Sequence, residues 1–219
     1  MKVTEALKTR ISVRAFKPNP LPEALVREIL DAARYAPSGG NLQPWKVIAV
    51  SGAERDAVVA LAKANLPGKE DDRPVYPANL WEPYRSRRYK LGEDMYAILG
   101  IPRENKGARL MHLMQNFEFF GAPVGLFFVI EKAMGHGQWA HLGMFMQSLA
   151  LAATERGVSS CMQEAWAMMR APLAAHFALP DTDMVYCGMA LGYADESKPV
   201  NTLRSDRASV DEFTTFRGF

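Results

Sequence analysis

The sequence predicts an α+β or α/β sandwich in one domain, and three observations carry that prediction. Stretches with apolar residues at three- and four-residue spacing alternate with short apolar runs bounded by turn residues, so helices and strands interleave. With 219 residues, 48% of them hydrophobic, the chain can bury a sizeable core. No internal repeat or low-complexity segment interrupts the pattern.

The elements follow in order. Pro22 suits the first position of a helix, and Leu25, Val26, Ile29, Leu30 and Ala33 then form one buried stripe that Pro37 ends. Residues 45–51 are a short apolar run that predicts a buried strand, and 54–64 return to helical spacing. From 65 to about 105 the pattern breaks at Pro67, Gly68, Pro74, Pro77 and Pro83. An irregular excursion with one or two short helices is predicted there, either a linker or a functional lid, since ordering it without a packing reward costs entropy. A helix over 106–120, a strand over 124–130 and a long helix over 138–156 come next, the last closed by Gly157 as a left-handed cap. The long helix is apolar around much of its circumference, which suits a central helix or a subunit interface. A short strand over Ser159–Gln163, a short helix over 172–177 and a buried strand over 184–191 complete the body. In the tail, Phe213, Phe216 and Phe219 recur at three-residue spacing and predict an extension docked on the body or on a partner.

Charge and cysteine usage exclude several functions. The 26 basic and 24 acidic residues are dispersed and leave a net charge of +2, so no nucleic-acid or membrane partner is expected. Cys161 and Cys187 lie in apolar surroundings without zinc spacing and read as buried, reduced core residues, which fits a reducing cytoplasm. His136 and His141 are five apart, not at the i, i+4 spacing of a helical metal pair, so no metal is expected. The start of the chain lacks the features of a signal peptide, and the apolar run over 119–130 is shorter than the roughly 20 residues that span a bilayer. A soluble, cytoplasmic protein is expected. The dinucleotide fingerprint G-x-G-x-x-G, the P-loop and the G-x-S-x-G elbow are all absent.

Two segments carry the chemistry. In an extended chain Arg10, Ser12 and Arg14 share a face and offer two guanidinium forks with a hydroxyl between them, a clamp for a phosphate or a polyol. The turn from Pro37 through Ser38, Gly39 and Asn41 to Gln43 lets backbone approach a ligand and supplies neutral donors and acceptors that suit carbonyl and imide edges. It is equally good turn chemistry between a helix and a strand.

Together, Thr9-Arg-Ile-Ser-Val-Arg-Ala-Phe16, the helix after it, and Ala36-Pro-Ser-Gly-Gly-Asn-Leu-Gln-Pro-Trp45 with its strand resemble the N-terminal signature of FMN-dependent nitroreductases. The similarity continues through Gly121-Ala-Pro-Val124, the long helix to Gly157, Gln163-Glu-Ala-Trp166, and Gly192-Tyr193 with Arg204 to Arg207. It implies a three-layer α/β/α sandwich of nitroreductase type, with a mixed central sheet surrounded by helices and a C-terminal extension docking on the partner. One FMN-binding domain over 1–219 would act in a homodimer with FMN at the interface.

The resemblance also distributes roles. Arg10, Arg204 and Arg207 would bind the FMN phosphate, a charge match for a dianion. Ser12 and Arg14 would take the ribityl chain and the pyrimidine edge, where a cation favours the negative charge of the reduced ring. Pro37, Ser38, Gly39, Asn41 and Gln43 would reach the flavin from the other subunit. Gln163, Glu164 and Ala165 would lie beside flavin N5, with the Ala165 N–H as its donor. Two departures from many relatives are Ile11 in place of a basic or polar residue and Ala165 in place of glycine. In the excursion, Trp81, Tyr84 and Tyr89, with Tyr76, Arg85, Arg87 and Arg88 around them, would cover the flavin and select substrates.

The implied activity is a two-step exchange in which NADH or NADPH delivers a hydride and leaves before a nitroaromatic or quinone-like acceptor takes its place. No residue of the chain need act as nucleophile, because the cofactor carries the chemistry. Enone reduction, dehalogenation and flavin breakdown share the same fold, and a non-catalytic flavin-binding or storage protein is the reading from another class.

Overall fold

Short apolar runs with alternating partners become the strands of a single sheet. In the computed structural model, which describes residues 1–68 and 74–219, β1 (Lys46–Ser51), β2 (Val124–Glu131), β3 (Ser159–Gln163) and β4 (Asp183–Gly192) lie in the order β1-β2-β4-β3. All three strand pairs are antiparallel. Among the described residues, parallel pairing enters through an isolated bridge between Ser12 and Ser160 on the β3 edge. The mixed character of the sheet is limited to that bridge, because the segment carrying Ser12 turns away at once to pair Phe16 with Ala194 of the tail.

Helices cover both faces. They are α1 (Val3–Thr9), α2 (Glu23–Ala33), α3 (Gly52–Asn65), α4 (Tyr84–Ile98), α5 (Lys106–Met114), α6 (His136–Glu155), α7 (Arg170–His176) and α8 (Val210–Phe213). Along β2, Val124, Leu126, Phe128 and Ile130 pack with α2 and α6, whereas Phe127 and Val129 pack with α3, α7 and two 3-10 segments, Gln115–Gly121 and Glu164–Met169. This is the α/β/α layering that the family resemblance implies. Burying Phe127 or Phe119 completely contributes about 1.5–3 kcal/mol each. Opposite Phe128 and Val129 the register slips, leaving Tyr186 of β4 as the extra residue of a bulge.

Two expectations need correction, and a third is narrowed. The helix predicted over 106–120 ends at Met114, and the chain continues as the 3-10 segment with Phe119 and Phe120 both at φ 53°. That left-handed pair seats Phe119 against Trp166, with ring centroids 4.8 Å apart. The excursion is more ordered than one or two short helices: α4 runs for 15 residues, held by Lys90–Asp94 and by Arg85–Glu82 at its start. Residues 69–73 of that excursion lie outside the described residues. Finally, Phe213, Phe216 and Phe219 are exposed on this chain, and the last two meet each other edge to face at 5.7 Å. The tail does not dock them on its own body.

Candidate functional site

The two ends of the chain meet through one buried amide. Asn201 sits in the 3-10 turn Pro199–Thr202, and its Oδ1 accepts the Arg14 N–H at 2.9 Å while its Nδ2 donates to the carbonyls of Ala15 and Asp195. Backbone bonds from Lys17 to Tyr193 and from Asp195 to Ala15 extend the junction. Nothing in the sequence around Asn201 signals this role, since an isolated asparagine after proline reads only as a turn.

The junction carries Arg204 and Arg207 onto the opening segment. Arg10, Ser12, Arg14, Arg204 and Arg207, with Lys8, line one cavity of about 350 Å³ with no carboxylate among its described lining residues. Each arginine is held by neutral groups where it is held at all: Arg14 by the Ser12 carbonyl at 3.2 Å, Arg204 by the Asn201 and Leu203 carbonyls, and Arg207 by the Ser205 and Asp206 carbonyls. The Nε of Arg10 is buried without a hydrogen-bond partner. Burial, and then the charge of Arg207, lower the pKa of Arg10, as crowding of like charge requires. Such a site stabilises a dense anion, and a phosphate monoester fits its charge and its donor set.

A second cavity of about 560 Å³ lies where Gln115–Gly121, α6, β3 and the Tyr186 bulge converge. Met114, Phe117, Met146 and Met162 give it apolar walls; Asn116, Glu164, Ala165 and Tyr186 add polar edges, and Tyr76 and Arg88 reach it from the excursion. Gln163 is buried instead, its Nε2 donating to the Asn116 carbonyl at 2.7 Å, so its side chain fixes the segment beneath the cavity. Burial first, and then the charge of Glu164, raise the phenol pKa of Tyr76. His112 packs against Tyr96 and Phe120 with a buried, unpartnered Nε2, and burial followed by the charge of Arg14 lowers its pKa.

Other candidates lie elsewhere in this chain. The turn from Pro37 to Gln43 lines neither cavity; Gly40 takes φ 59°, the Ser38 hydroxyl accepts the Gln43 N–H at 2.9 Å, and Gly39 packs on His141 of α6. Asn41 and Gln43 are also left-handed, so the turn is shaped more tightly than a helix-to-strand connection needs. Trp81 and Tyr84 contact each other at 5.7 Å, and Tyr89 lies under Arg103; none of the three lines either cavity. Val75, Tyr76 and Arg88 are the described excursion residues that line the larger cavity, and Leu91 lines the smaller; Tyr76 and Arg88 are the polar ones among them. Their signal was an aromatic and a cation among several of each, with no periodicity to separate them.

The Nitroreductase family profile matches residues 7–193. The chain belongs to the nitroreductase family. A 4-nitrobenzoate reductase from Pseudomonas putida is 39% identical over 96% of this chain and 93% of its own length. A nitrobenzene nitroreductase from Ectopseudomonas oleovorans is 35% identical over 98% of this chain and 96% of its own. The crystal structure of an FMN and NADPH-dependent nitroreductase, NfnB from sphigopyxis sp. strain HMH, superposes with a TM-score of 0.97 at 41% identity, covering both chains completely. The nitroreductase fold thus extends over the full chain, α4 included.

Proposed function

We propose that this nitroreductase-family chain is an FMN-dependent oxidoreductase that uses NADH or NADPH to reduce nitroaromatic and related electron-poor acceptors, including quinones. The observation that carries the reading is a cavity with no carboxylate among its described lining residues, where cations from both ends of the chain surround a buried, unpartnered guanidinium nitrogen. Similarity to nitrobenzoate and nitrobenzene reductases and to an FMN and NADPH-dependent structure supports it.

Arg10, Arg204 and Arg207 would hold the FMN phosphate, Ser12 the ribityl chain and Arg14 the pyrimidine edge. FMN bound here would supply the two-electron transfer between nicotinamide and acceptor. Glu164 and Ala165 would border its ring, the Ala165 N–H facing N5, while buried Gln163 keeps that segment in place. The apolar walls of the larger cavity would favour aromatic molecules. Pro37, Ser38, Gly39, Asn41 and Gln43 would serve the flavin of a second subunit, which explains why a turn lining neither cavity is so tightly shaped. The working unit is then a homodimer of single-domain subunits over 1–219, with Trp81, Tyr84 and Tyr89 as outer parts of a cover. Two free, buried cysteines fit a reducing cytoplasm, and among the described residues no helix is long and apolar enough to cross a membrane.

The test is the visible spectrum of the purified, FMN-loaded protein before and after anaerobic NADPH, followed by a nitroarene. Bleaching by the donor and recovery with the acceptor are expected, with parallel lines in steady-state kinetics. A flavin that NAD(P)H leaves coloured identifies a storage protein, and a colourless protein that takes up no FMN ends the reading.

A further inference from the structure

The mouth of the larger cavity carries a cation whose charge is unmatched among the described residues. Arg88 projects from α4 with its guanidinium over the Tyr76 ring, 4.0 Å from the centroid. Glu164 aside, the described acidic groups that share a cavity lining with it are engaged elsewhere: Glu212 with Arg87, Asp94 and Asp206 with Lys90, and Glu93 with Arg109. Glu164 lines the same cavity as the Tyr76 ring beneath Arg88. Among the described residues no carboxylate pairs with Arg88.

We propose that Arg88 selects acceptors bearing an anionic substituent, aromatic carboxylates above all, by pairing with that group where the apolar cavity opens. The proposal rests on the nitroarene-reductase reading and adds which part of the acceptor the chain recognises. Three features support it. The guanidinium carbon sits over the Tyr76 ring, 4.0 Å from its centroid, and a guanidinium can offer two parallel N–H bonds to a carboxylate. Beside it, Met146, Met162 and Tyr186 receive an uncharged ring. Glu164, on the same cavity, repels a carboxylate placed beside it and so favours the orientation with the acid group at Arg88. The named substrates of the two relatives differ by one carboxylate, so similarity alone leaves this preference open.

Benzoate and benzamide, which share a ring and differ in charge, separate this role from simple packing. Each is titrated calorimetrically into FMN-loaded wild-type protein, Arg88→Gln and Arg88→Lys, without a reductant. Wild type is expected to bind benzoate about tenfold more tightly than benzamide, a low-end value for a charge-assisted bond at an exposed arginine. Arg88→Gln should erase that ratio, Arg88→Lys should restore part of it, and added salt should weaken benzoate alone. In turnover with NADPH, the KM ratio of 4-nitrobenzoate to nitrobenzene should rise about tenfold in Arg88→Gln. Absence of benzoate binding, equal binding of the two probes by wild type, or an unchanged ratio in Arg88→Gln would overturn the proposal. Wild type that reduces neither nitroarene would overturn the reductase reading instead, and the benzoate ratio would still judge Arg88.

Discussion

Arg10 stands apart from the other arginines of its cavity because it is half-buried and its Nε has no partner among the described residues. A group desolvated in this way is costly unless a ligand completes it, so its removal should cost binding more than folding. Arg10→Ala is expected to weaken FMN by ten- to a hundredfold, the range for a lost charged hydrogen bond of about 1.5–3 kcal/mol, measured by quenching of flavin fluorescence. Arg14 is placed differently, tied to Asn201 through its backbone and to the Ser12 carbonyl through its side chain. Arg14→Ala should therefore act mainly on the electronics, making bound FMN harder to reduce, and a redox titration with an unchanged midpoint would remove that role. Both residues were legible because alternation in an extended segment puts Arg10, Ser12 and Arg14 on one face. Asn201 was not, since its importance comes from three backbone partners that are 6 or more residues away.

At the level of elements, strands and amphipathic helices were legible wherever one face alone is buried, as in α2 with Val26, Ile29 and Ala33. The two misread stretches fail for opposite physical reasons. Helix α4 buries no side chain, so no apolar stripe announces it; it is held by surface pairs and by Lys90–Asp206 and Arg87–Glu212 to the tail. The Gln115–Gly121 segment has helical composition, but Phe119 is wanted beneath the sheet, and tertiary packing overrides local preference. Two glycines make that packing possible: a Cβ on Gly125 would meet the Phe119 ring, and one on Gly188 the Trp166 ring. Gly188→Ala is thus expected to destabilise the fold by about 1–3 kcal/mol through overpacking, read as a lower urea midpoint. The opposite end of the sheet depends on charge. Lys46 of β1 bonds the buried Asp183 of β4 at 2.8 Å, and that bond raises the lysine pKa. Stability from a raised lysine is fully present below about 10.5 and is lost as pH climbs through the folded value. Lys46→Met should cost about 1–2 kcal/mol at neutral pH, discounted because the lysine is half exposed, and melting curves of the two proteins should converge in alkali.

The whole molecule leaves apolar surface uncovered along α1, α5 and the tail. Val3 and Leu7, then Leu110, Met111 and Leu113, then Phe213 and Phe216 are all exposed, and the large phenylalanines make this more than the scattered surface hydrophobes of a monomer. A second copy covering that surface would also bring a Pro37–Gln43 turn to each cofactor site, so assembly and FMN binding should rise and fall together. Sedimentation of the wild type is therefore expected to give twice the 24.3 kDa chain mass. The double variant Phe213→Ser, Phe216→Ser removes apolar area without touching any residue that lines either cavity. It should shift the equilibrium toward monomer, and FMN affinity should then depend on protein concentration, recovering as dimer re-forms. A variant that is monomeric yet binds FMN as tightly as wild type at every concentration would show that one chain completes the site alone, and the partner's turn would lose its role.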